Sequence, residues 1–255
     1  MRFASLGSGS QGNALIVEAG ATRLLLDCGF STRVTIQRLA RLGLPPEGID
    51  AVLVTHEHSD HIAGAFKFAA RYRIPVLLSH GTFSSLPGEK AGIPECRLID
   101  SHEPFSIGDL EISPYPVPHD AREPVQFTFF DGQHRLGVLT DTGTVTQHII
   151  NVLQHCEALV LECNYDRDLL ERSNYPGFLK QRISGGQGHL ENQQAATLLR
   201  RVETKRLQHV VAAHLSQQNN RPELAVSALA AALDCAEEWI AVATQNEGLG
   251  WRQLL

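Results

Sequence analysis

Residues 55–61 (THEHSDH) place three histidines and one aspartate in a single short segment. The segment follows the apolar run 51–55 and precedes a predicted helix, so it can curl and bring its side chains together. Imidazole nitrogens and a carboxylate suit Zn²⁺, or Mn²⁺ and Fe, better than Ca²⁺ or an ion that prefers thiolates. The alternative is a solvated polar loop that binds nothing. Because the spacing matches a known type of metal motif, the segment predicts a metal site.

The loop offers more donors than one catalytic ion uses, since a catalytic zinc ion has three protein ligands and a water molecule. A second ion is therefore expected, with further ligands from elsewhere in the chain. His119, Asp141 and His214 each follow an apolar, strand-like run, and Asp27 ends another such run. Strand ends form the edge at which sheets expose functional groups. These side chains are therefore candidates for the same site.

The elements that must position these residues alternate between short apolar runs and amphipathic stretches. Strands are predicted over 13–20, 22–29, 51–55, 75–80, 158–164 and 209–215, and through much of 97–141, which contains an Asp131-Gly132 hairpin turn. Helices are predicted over 32–42 after an N-cap at Ser31, and over 61–72, 144–155, 192–202 and 222–238. Residues 239–245 and 249–255 are expected to form a last pair of strands, and the N-terminal segment a loop. The pattern predicts one α/β domain over residues 1–255, with two sheet-plus-helix halves packed sheet to sheet.

Composition restricts the class of protein further. The chain has 255 residues, of which 43% are hydrophobic and 20% charged, so it is long and apolar enough for a folded enzyme. Its net charge of −6 argues against broad wrapping of nucleic acid, although a local basic groove is compatible with it. No apolar run predicts a membrane span or a signal peptide. The five cysteines are widely spaced without a C-x-x-C pair, which favours reduced thiols and a cytoplasmic location.

The motifs together resemble the metallo-β-lactamase superfamily. The order is T-H-x-H-x-D-H, a lone histidine, an aspartate after a strand and a late histidine, which together with Asp27 span most of the chain. The flanking segments are similar to the YycJ-like branch of small metallohydrolases, which is related to transfer-RNA-processing and exonuclease members. The matching segments are LGSGSQGNA (6–14), PHDA (118–121), LTDTG (139–143), ECNYD (162–166), YPGFLKQRIS (175–184), GHLEN (188–192) and HLSQQNN (214–220).

This resemblance implies a four-layer αββα sandwich that holds two divalent ions, with Zn²⁺ expected and Mn²⁺ or Fe as alternatives. It implies that one ion binds His56, His58 and His119, and that the other binds Asp60, His61 and His214. Asp141 would bridge both ions. Asp27 would accept a hydrogen bond from a ligand and fix its orientation, and the alternative is a strand-end aspartate that satisfies a turn.

His189 lies just before the predicted helix 192–202, where anions are favoured. In the related transfer-RNA-processing enzymes, a histidine at the matching place protonates the leaving group or binds the scissile phosphate, and the alternative here is an exposed histidine without a role. This chain has Glu191 where the branch more often has serine. Glu162 and Asp166 are expected either to orient ligands or to form salt bridges.

Ser216, Asn219 and Asn220 follow the last predicted ligand. Their hydroxyl and amide groups could donate hydrogen bonds to phosphate or sugar oxygens. They could equally cap the helix that begins near Pro222. The two interpretations remain open at this point.

The resemblance implies a metal-dependent hydrolase in which a metal-bound hydroxide attacks a phosphodiester of nucleic acid. Metallo-β-lactamases proper are expected to carry cysteine where this chain has Asp141, so lactamase activity is disfavoured. One alternative is a glyoxalase II-like hydrolase of a thioester, lactone or cyclic phosphate, and another is a metal-stabilised binding protein without turnover. Nucleic acid is the expected substrate, no membrane partner is expected, and a monomer and a homodimer both remain open.

Overall fold

Two sheets face each other in the computed structural model, which describes residues 1–86 and 95–255. The strands of the first sheet, in spatial order, are β14 (Leu249–Gln253), β1 (Arg2–Gly7), β2 (Ala14–Ala19), β3 (Thr22–Leu26), β4 (Ala51–Leu53), β5 (Val76–Ser79) and β6 (Cys96–Ile99). The strands of the second sheet are β13 (Ile240–Val242), β12 (His209–Ala213), β11 (Ala158–Glu162), β10 (Arg135–Leu139), β9 (Val125–Phe130), β8 (Leu110–Pro116) and β7 (Phe105–Ile107).

Both sheets are mixed in the same way. β1, β2 and β3 are antiparallel neighbours, whereas β3 to β6 run parallel. In the second sheet β8, β9 and β10 are antiparallel, whereas β10 to β13 run parallel. Parallel neighbours need crossover connections, which place helices on the outer faces of the sheets. The prediction of two similar halves is therefore confirmed.

Helices pack on these outer faces and also lie beside the strand ends. They are α1 (Thr32–Arg41), α2 (Ser59–Ile62), α3 (Ala65–Tyr72), α4 (His80–Ser85), α5 (Gln147–Val152), α6 (Arg167–Arg172), α7 (Gly177–Ser184), α8 (Asn192–Leu199) and α9 (Pro222–Leu233). Ser31 caps α1 as predicted, because its side chain accepts a hydrogen bond from the backbone N–H of Val34. In the described part of the chain, none of the helices combines the length and the apolar character that crossing a bilayer requires.

Three apolar clusters hold the layers together. Phe3 and Val17 from the first sheet pack with Phe127 and Val160 from the second, which fills the space between the sheets. A second cluster lies between the second sheet and helices α5, α8 and α9, and a third lies between the first sheet and helices α1 and α3. The order of layers is thus helix, sheet, sheet, helix, and the predicted αββα sandwich is confirmed.

Three local predictions were wrong. The N-terminal segment contains β1, which is buried between β14 and β2 although its sequence RFASLG is rich in small residues. The two C-terminal strands do not pair with each other, since β13 joins β12 and β14 crosses to β1 in the other sheet. The predicted helix 61–72 divides into α2 and α3. Gly64, between them, lies so close to the Phe30 carbonyl that a side chain would overlap it.

The same close packing occurs where β3 leads into α1. The backbone N–H of Cys28 donates to the His61 carbonyl at 2.8 Å, and that of Asn13 donates to the Asp60 carbonyl at 2.7 Å. Gly29 lies between these contacts, and a Cβ atom there would overlap the Asp60 carbonyl oxygen. The absence of a side chain at Gly29 therefore allows the chain after β3 to lie directly against the histidine-rich segment.

We expect Gly29→Ala to lower the free energy of unfolding by at least about 1–3 kcal/mol, because the added methyl group meets backbone that cannot move aside. Gly177→Ala is the matched control, since its Cβ would meet no atom within 4 Å, and it should change stability by less than about 1 kcal/mol. Urea denaturation measures both. Equal stabilities for the two variants would contradict the close-packing explanation.

Candidate metal centre

The ends of several strands bring the predicted residues to one edge of the sandwich. Asp27 directly follows β3, and its backbone has a left-handed conformation with φ of 58°. His214 directly follows β12 with φ of 54°. Left-handed conformations are unfavourable for residues other than glycine, and they cluster at functional sites. Here the left-handed backbone at Asp27 and His214 turns the chain at the point where each strand ends.

Asp27 orients the histidines of the 55–61 segment. Its carboxylate accepts hydrogen bonds from the Thr55 backbone N–H at 2.9 Å and from His61 Nδ1 at 2.7 Å. The Thr55 hydroxyl donates to the same carboxylate and accepts from His56 Nδ1 at 2.9 Å. Each imidazole therefore holds a proton on Nδ1 and points Nε2 inward, the ring orientation that a metal ligand needs. Asp27 thus accepts a hydrogen bond from His61, one of the candidate ligands.

The first group of candidate ligands consists of His56, His58 and His119. One ring nitrogen from each lies within 4.8 Å of the others. His119 Nδ1 donates to the Gly188 carbonyl at 2.9 Å, which leaves Nε2 facing His58 Nδ1 at 3.2 Å. Nitrogen atoms at this separation can share a cation. The group contains the three residues predicted for one ion.

The second group consists of Asp60, His61 and His214, whose donor atoms also lie within 4.8 Å of one another. Asp60 Oδ2 lies 3.3 Å from His214 Nε2 and 3.4 Å from His61 Nε2. The side-chain amide of Asn13 donates to the same oxygen at 3.2 Å. Asn13 thereby holds the carboxylate in place, a role that sequence analysis missed.

Asp141 lies between the two groups and is almost fully buried. Its Oδ2 atom is 3.1 Å from His61 Nε2, in the second group. Its Oδ1 atom is 3.8 Å from His119 Nε2, in the first group, and 3.2 Å from His214 Nδ1. Asp141 is thus the carboxylate that faces imidazoles of both groups, as the predicted bridging position requires.

The carboxylates attract positive charge to this site. Burial alone would lower the pKa of His61, but Asp141 and Asp27 raise it well above its ordinary value. Burial likewise opposes protonation of His214, yet Asp141 and Asp60 raise its pKa to about 10. The pKa of His56 is instead well below its ordinary value, chiefly because the ring is buried and faces other imidazoles. The site therefore attracts added positive charge, whether protons or a metal cation.

Two donor atoms show that these residues fit a metal ion. His56 Nε2 and Asp141 Oδ2 are buried and have no hydrogen-bond partner among the described residues. Buried polar atoms without a partner are costly. A divalent ion would satisfy such nitrogen and oxygen lone pairs together. The donor set suits Zn²⁺, Mn²⁺ or Fe.

His189 lies beside the ligand groups. Its Nδ1 donates to Glu162 Oε1 at 2.6 Å and is 3.4 Å from Asp141 Oδ1. Burial lowers the pKa of His189, but Glu162 outweighs this effect and raises it above the ordinary value. The side chain remains partly exposed. Its position against a buried carboxylate argues against the reading of an exposed histidine without a role.

Glu162, the last residue of β11, is fully buried and organises this side of the site. Besides His189, its carboxylate accepts hydrogen bonds from the Thr142 backbone N–H at 2.9 Å and lies 3.3 Å from His214 Nδ1. Glu162 therefore contacts the candidate ligand His214 and can orient its ring, so its role is more than that of a salt-bridge partner. Asp166 has neither predicted role, because its side chain caps α6 by accepting from the Leu169 N–H. Glu191 caps α8 in a capping box with Gln194.

Ser216, Asn219 and Asn220 are buried in the loop after His214. Ser216 Oγ accepts from the Asn219 N–H at 3.1 Å, and the Asn220 amide donates to the Cys163 carbonyl and pairs with Asn192. The N-cap residue of α9, Arg221, makes no side-chain cap bond, but Asn220 Oδ1 accepts from the Arg221 backbone N–H at 2.8 Å at the start of this helix. Their internal hydrogen bonds fix the loop that carries His214. Substrate binding by these three residues stays a prediction.

A cavity of about 300 Å³ opens over both ligand groups. It is lined by the ligand candidates His58, Asp60, Asp141 and His214 and by His189. The rest of its wall includes Ser10, Ser59 and Asp120, and the α7 residues Leu179, Arg182 and Ile183. The site is therefore reachable by a molecule larger than water. The groove bordered by Ser216 and Asn220 is separate from it.

The chain belongs to the beta-lactamase superfamily: residues 22–214 match the family model described as "Beta-lactamase superfamily domain". An αββα sandwich with histidine–aspartate groups at its sheet edges is the metallo-β-lactamase fold. The Zn²⁺-bound PqqB from Methylobacterium extorquens has the same fold, with a TM-score of 0.77 over 100% of both chains at 18% identity. This likeness concerns the fold alone.

Two curated relatives match most of the chain. Exodeoxyribonuclease YycJ of Bacillus anthracis is 35% identical over 227 residues, which are 88% of this chain and 86% of the relative. Exodeoxyribonuclease WalJ of Streptococcus pneumoniae serotype 2 is 32% identical over 228 residues, 88% of this chain and 85% of the relative. The resemblance to the metallo-β-lactamase superfamily and its YycJ-like branch is confirmed.

The raised pKa values of His61 and His214 predict how stability depends on pH. A histidine with a folded-state pKa above its unfolded value of about 6.5 stabilises the fold fully below pH 6.5, and this stabilisation is lost as pH rises toward the folded-state pKa. With a chelator present, we expect the free energy of unfolding to fall by at least about 1 kcal/mol between pH 6.5 and 8.0. Urea denaturation at both pH values measures it.

Asp141→Asn should reduce this pH dependence, because it removes the carboxylate that does most to raise both pKa values. Asp100→Asn, a change of the same charge at an exposed position, should leave it unaltered. Added Zn²⁺ should also flatten the profile, since a bound cation replaces the protons. Stability that rises with pH in the chelator would contradict the electrostatic account of this site.

Proposed function

We propose that this chain, acting as one catalytic domain over residues 1–255, is a metal-dependent hydrolase of nucleic-acid phosphodiester bonds. The specific candidate activity is that of an exodeoxyribonuclease. Two observations support it: the YycJ and WalJ exodeoxyribonucleases match 88% of the chain, and Asp141 faces imidazoles of both ligand groups. The position of Asp141 carries the proposal, because a shared carboxylate suits a pair of hard ions acting on phosphorus.

We further propose that His56, His58 and His119 hold one divalent ion, and that Asp60, His61 and His214 hold a second. Asp141 binds both. Zn²⁺ is the expected metal, with Mn²⁺ or Fe as alternatives. Bound at this site, the ions would lower the pKa of water and balance the negative charge of the phosphate.

Besides the metal ligands, the proposed reaction needs side chains that hold or transfer protons. The Glu162 carboxylate accepts a hydrogen bond from His189 Nδ1 and raises the pKa of His189, so the imidazole can be protonated near neutral pH. His189 lines the cavity, and we propose that it donates a proton to the leaving oxygen or binds the phosphate. Asp27 does not reach the cavity lining. Its proposed contribution is to keep His61 in the tautomer that binds metal.

Asp141→Ala should reduce the metal content from two ions per chain to at most one and abolish turnover, because the Asp141 carboxylate faces imidazoles of both groups. Elemental analysis and hydrolysis of bis-p-nitrophenyl phosphate and of end-labelled DNA measure the two effects. His102→Ala, at an exposed histidine outside the site, is the control and should retain both. Full metal content with full activity in Asp141→Ala would rule out the shared-carboxylate site.

His189→Ala should keep both ions but slow DNA cleavage by about 10²–10⁴-fold, the usual contribution of a proton-transfer group. Metal content and single-turnover rates distinguish the cases. Loss of an ion would instead identify His189 as a ligand. Assays with S-lactoylglutathione run in parallel, since turnover of that thioester without DNA cleavage would overturn the phosphodiesterase proposal.

Asp27→Asn should weaken metal affinity by about 10–100-fold, because the amide cannot hold His61 in the required tautomer as firmly. Titration against a competing chelator measures the affinity. Asp50→Asn serves as the control, since Asp50 is exposed and its carboxylate, within residues 1–86 and 95–255, accepts a hydrogen bond from the Arg23 backbone N–H alone. Unchanged affinity in Asp27→Asn would show that the hydrogen bond has no influence on the metal.

A further inference from the structure

Arg182 lies on α7 at the wall of the cavity, and its side chain is 60% exposed. It is the one lysine or arginine among the described residues that line this cavity. Its Nε donates to Asp120 Oδ2 at 2.5 Å. A guanidinium has five N–H donors, so most of them stay available for another partner. In residues 1–86 and 95–255, Asp120 is the single polar partner of this side chain.

Asp120 connects Arg182 with the first ligand group. Its Oδ1 atom lies 3.5 Å from His119 Nε2 and 3.7 Å from His58 Nε2, whereas Oδ2 faces Arg182. The carboxylate therefore fixes the guanidinium at a set place relative to the candidate metal ligands. Arg182 is also tied to the other side of the cavity, because the carbonyl of the next residue, Ile183, accepts a hydrogen bond from the His189 N–H at 2.9 Å.

The cavity that Arg182 lines is otherwise rich in negative charge. Asp60, Asp120 and Asp141 all line the cavity, and their carboxylates repel an approaching phosphate. Ions in the ligand groups would offset the charges of Asp60 and Asp141. Positive charge farther out on the cavity wall must come from a side chain of the protein. A guanidinium binds two phosphate oxygens through parallel N–H donors, a geometry that a lysine ammonium does not offer.

We infer that Arg182 binds a phosphate group of the substrate strand in this cavity, and that Asp120 is the positioning residue that holds the guanidinium ready. The inference rests on the proposed phosphodiesterase function, and it names the side chain that recognises the phosphate outside the ligand groups. When the phosphate binds, the free N–H donors of Arg182 pair with its oxygens while Nε retains Asp120.

The test compares three single variants of the metal-loaded protein. Arg182→Ala should raise the KM for end-labelled DNA by about tenfold or more, with kcat changed only a few-fold, because a charge-assisted bidentate contact is lost. Arg182→Lys should restore part of the loss. Lys180→Ala is the matched control on the same helix, since Lys180 Nζ donates to the Glu171 carbonyl and borders a different cavity. It should change KM less than about threefold.

A second readout does not depend on turnover. Calorimetric titration with thymidine 5′-monophosphate should show a Kd raised by about tenfold in Arg182→Ala and little changed in Lys180→Ala. Asp120→Asn should weaken binding a few-fold in the native background but add little in Arg182→Ala, as expected when one residue acts through the other. Metal content is measured in every variant, so that loss of an ion is not mistaken for loss of phosphate binding.

The outcomes separate this inference from the proposed function. If the protein cleaves DNA but Arg182→Ala alters neither KM nor the Kd of the mononucleotide, the inference is overturned and the function stands. Equal effects of Arg182→Ala and Lys180→Ala also overturn it, because they indicate general charge attraction. If no DNA is cleaved, the proposed function fails, and a tenfold change in mononucleotide Kd would still support phosphate binding by Arg182.

Discussion

The buried carboxylate of Asp141 is the constraint on which the rest of the site depends. A charge removed from water is costly unless nearby groups pair with it, and Asp141 is paired with imidazoles that come from distant parts of the chain. His61 lies on α2, shortly after β4 of the first sheet, and His214 directly follows β12 of the second. The two sheets must therefore meet with their edges aligned, and the apolar cluster between them provides that alignment.

Each sheet also supplies one buried carboxylate behind the ligand candidates. Asp27, after β3, holds His61, and Glu162, at the end of β11, lies against both His214 and His189. These carboxylates fix ring orientation before any ion arrives. A ligand set organised in this way binds metal with little rearrangement, which is why second partners of metal-binding histidines matter for affinity. This arrangement also concentrates negative charge in the site, which protons or metal cations can neutralise.

The candidate ligands could be predicted from the sequence because several of them lie close together along the chain. Three histidines and an aspartate within six residues are an uncommon combination. His56, His58, Asp60 and His61 lie on one loop, and the strand ends before Asp141 and His214 are plain apolar runs. The helix after Ser31 was predictable for the same reason, since capping is a contact over three residues. Such features depend on neighbours along the chain.

What could not be predicted depends on contacts between distant segments. Thr55, Asn13 and Asp120 are ordinary polar residues until the fold places them beside the histidines, and no periodicity marks them. The pairing of β14 with β1 joins the two ends of the chain, so the local pattern of strands at the C-terminus favoured the wrong partner. Nothing in the sequence RFASLG marks a central buried strand, because its small residues suit a loop equally well.

The most direct test of the shared-carboxylate site is anomalous X-ray scattering from crystals of the Zn²⁺-loaded protein. Two anomalous peaks about 3.5–4 Å apart, with Asp141 in contact with both, are the predicted result. One peak would be in the group of His56, His58 and His119, and the other in the group of Asp60, His61 and His214. A single peak, or two peaks of which only one contacts Asp141, would contradict the account.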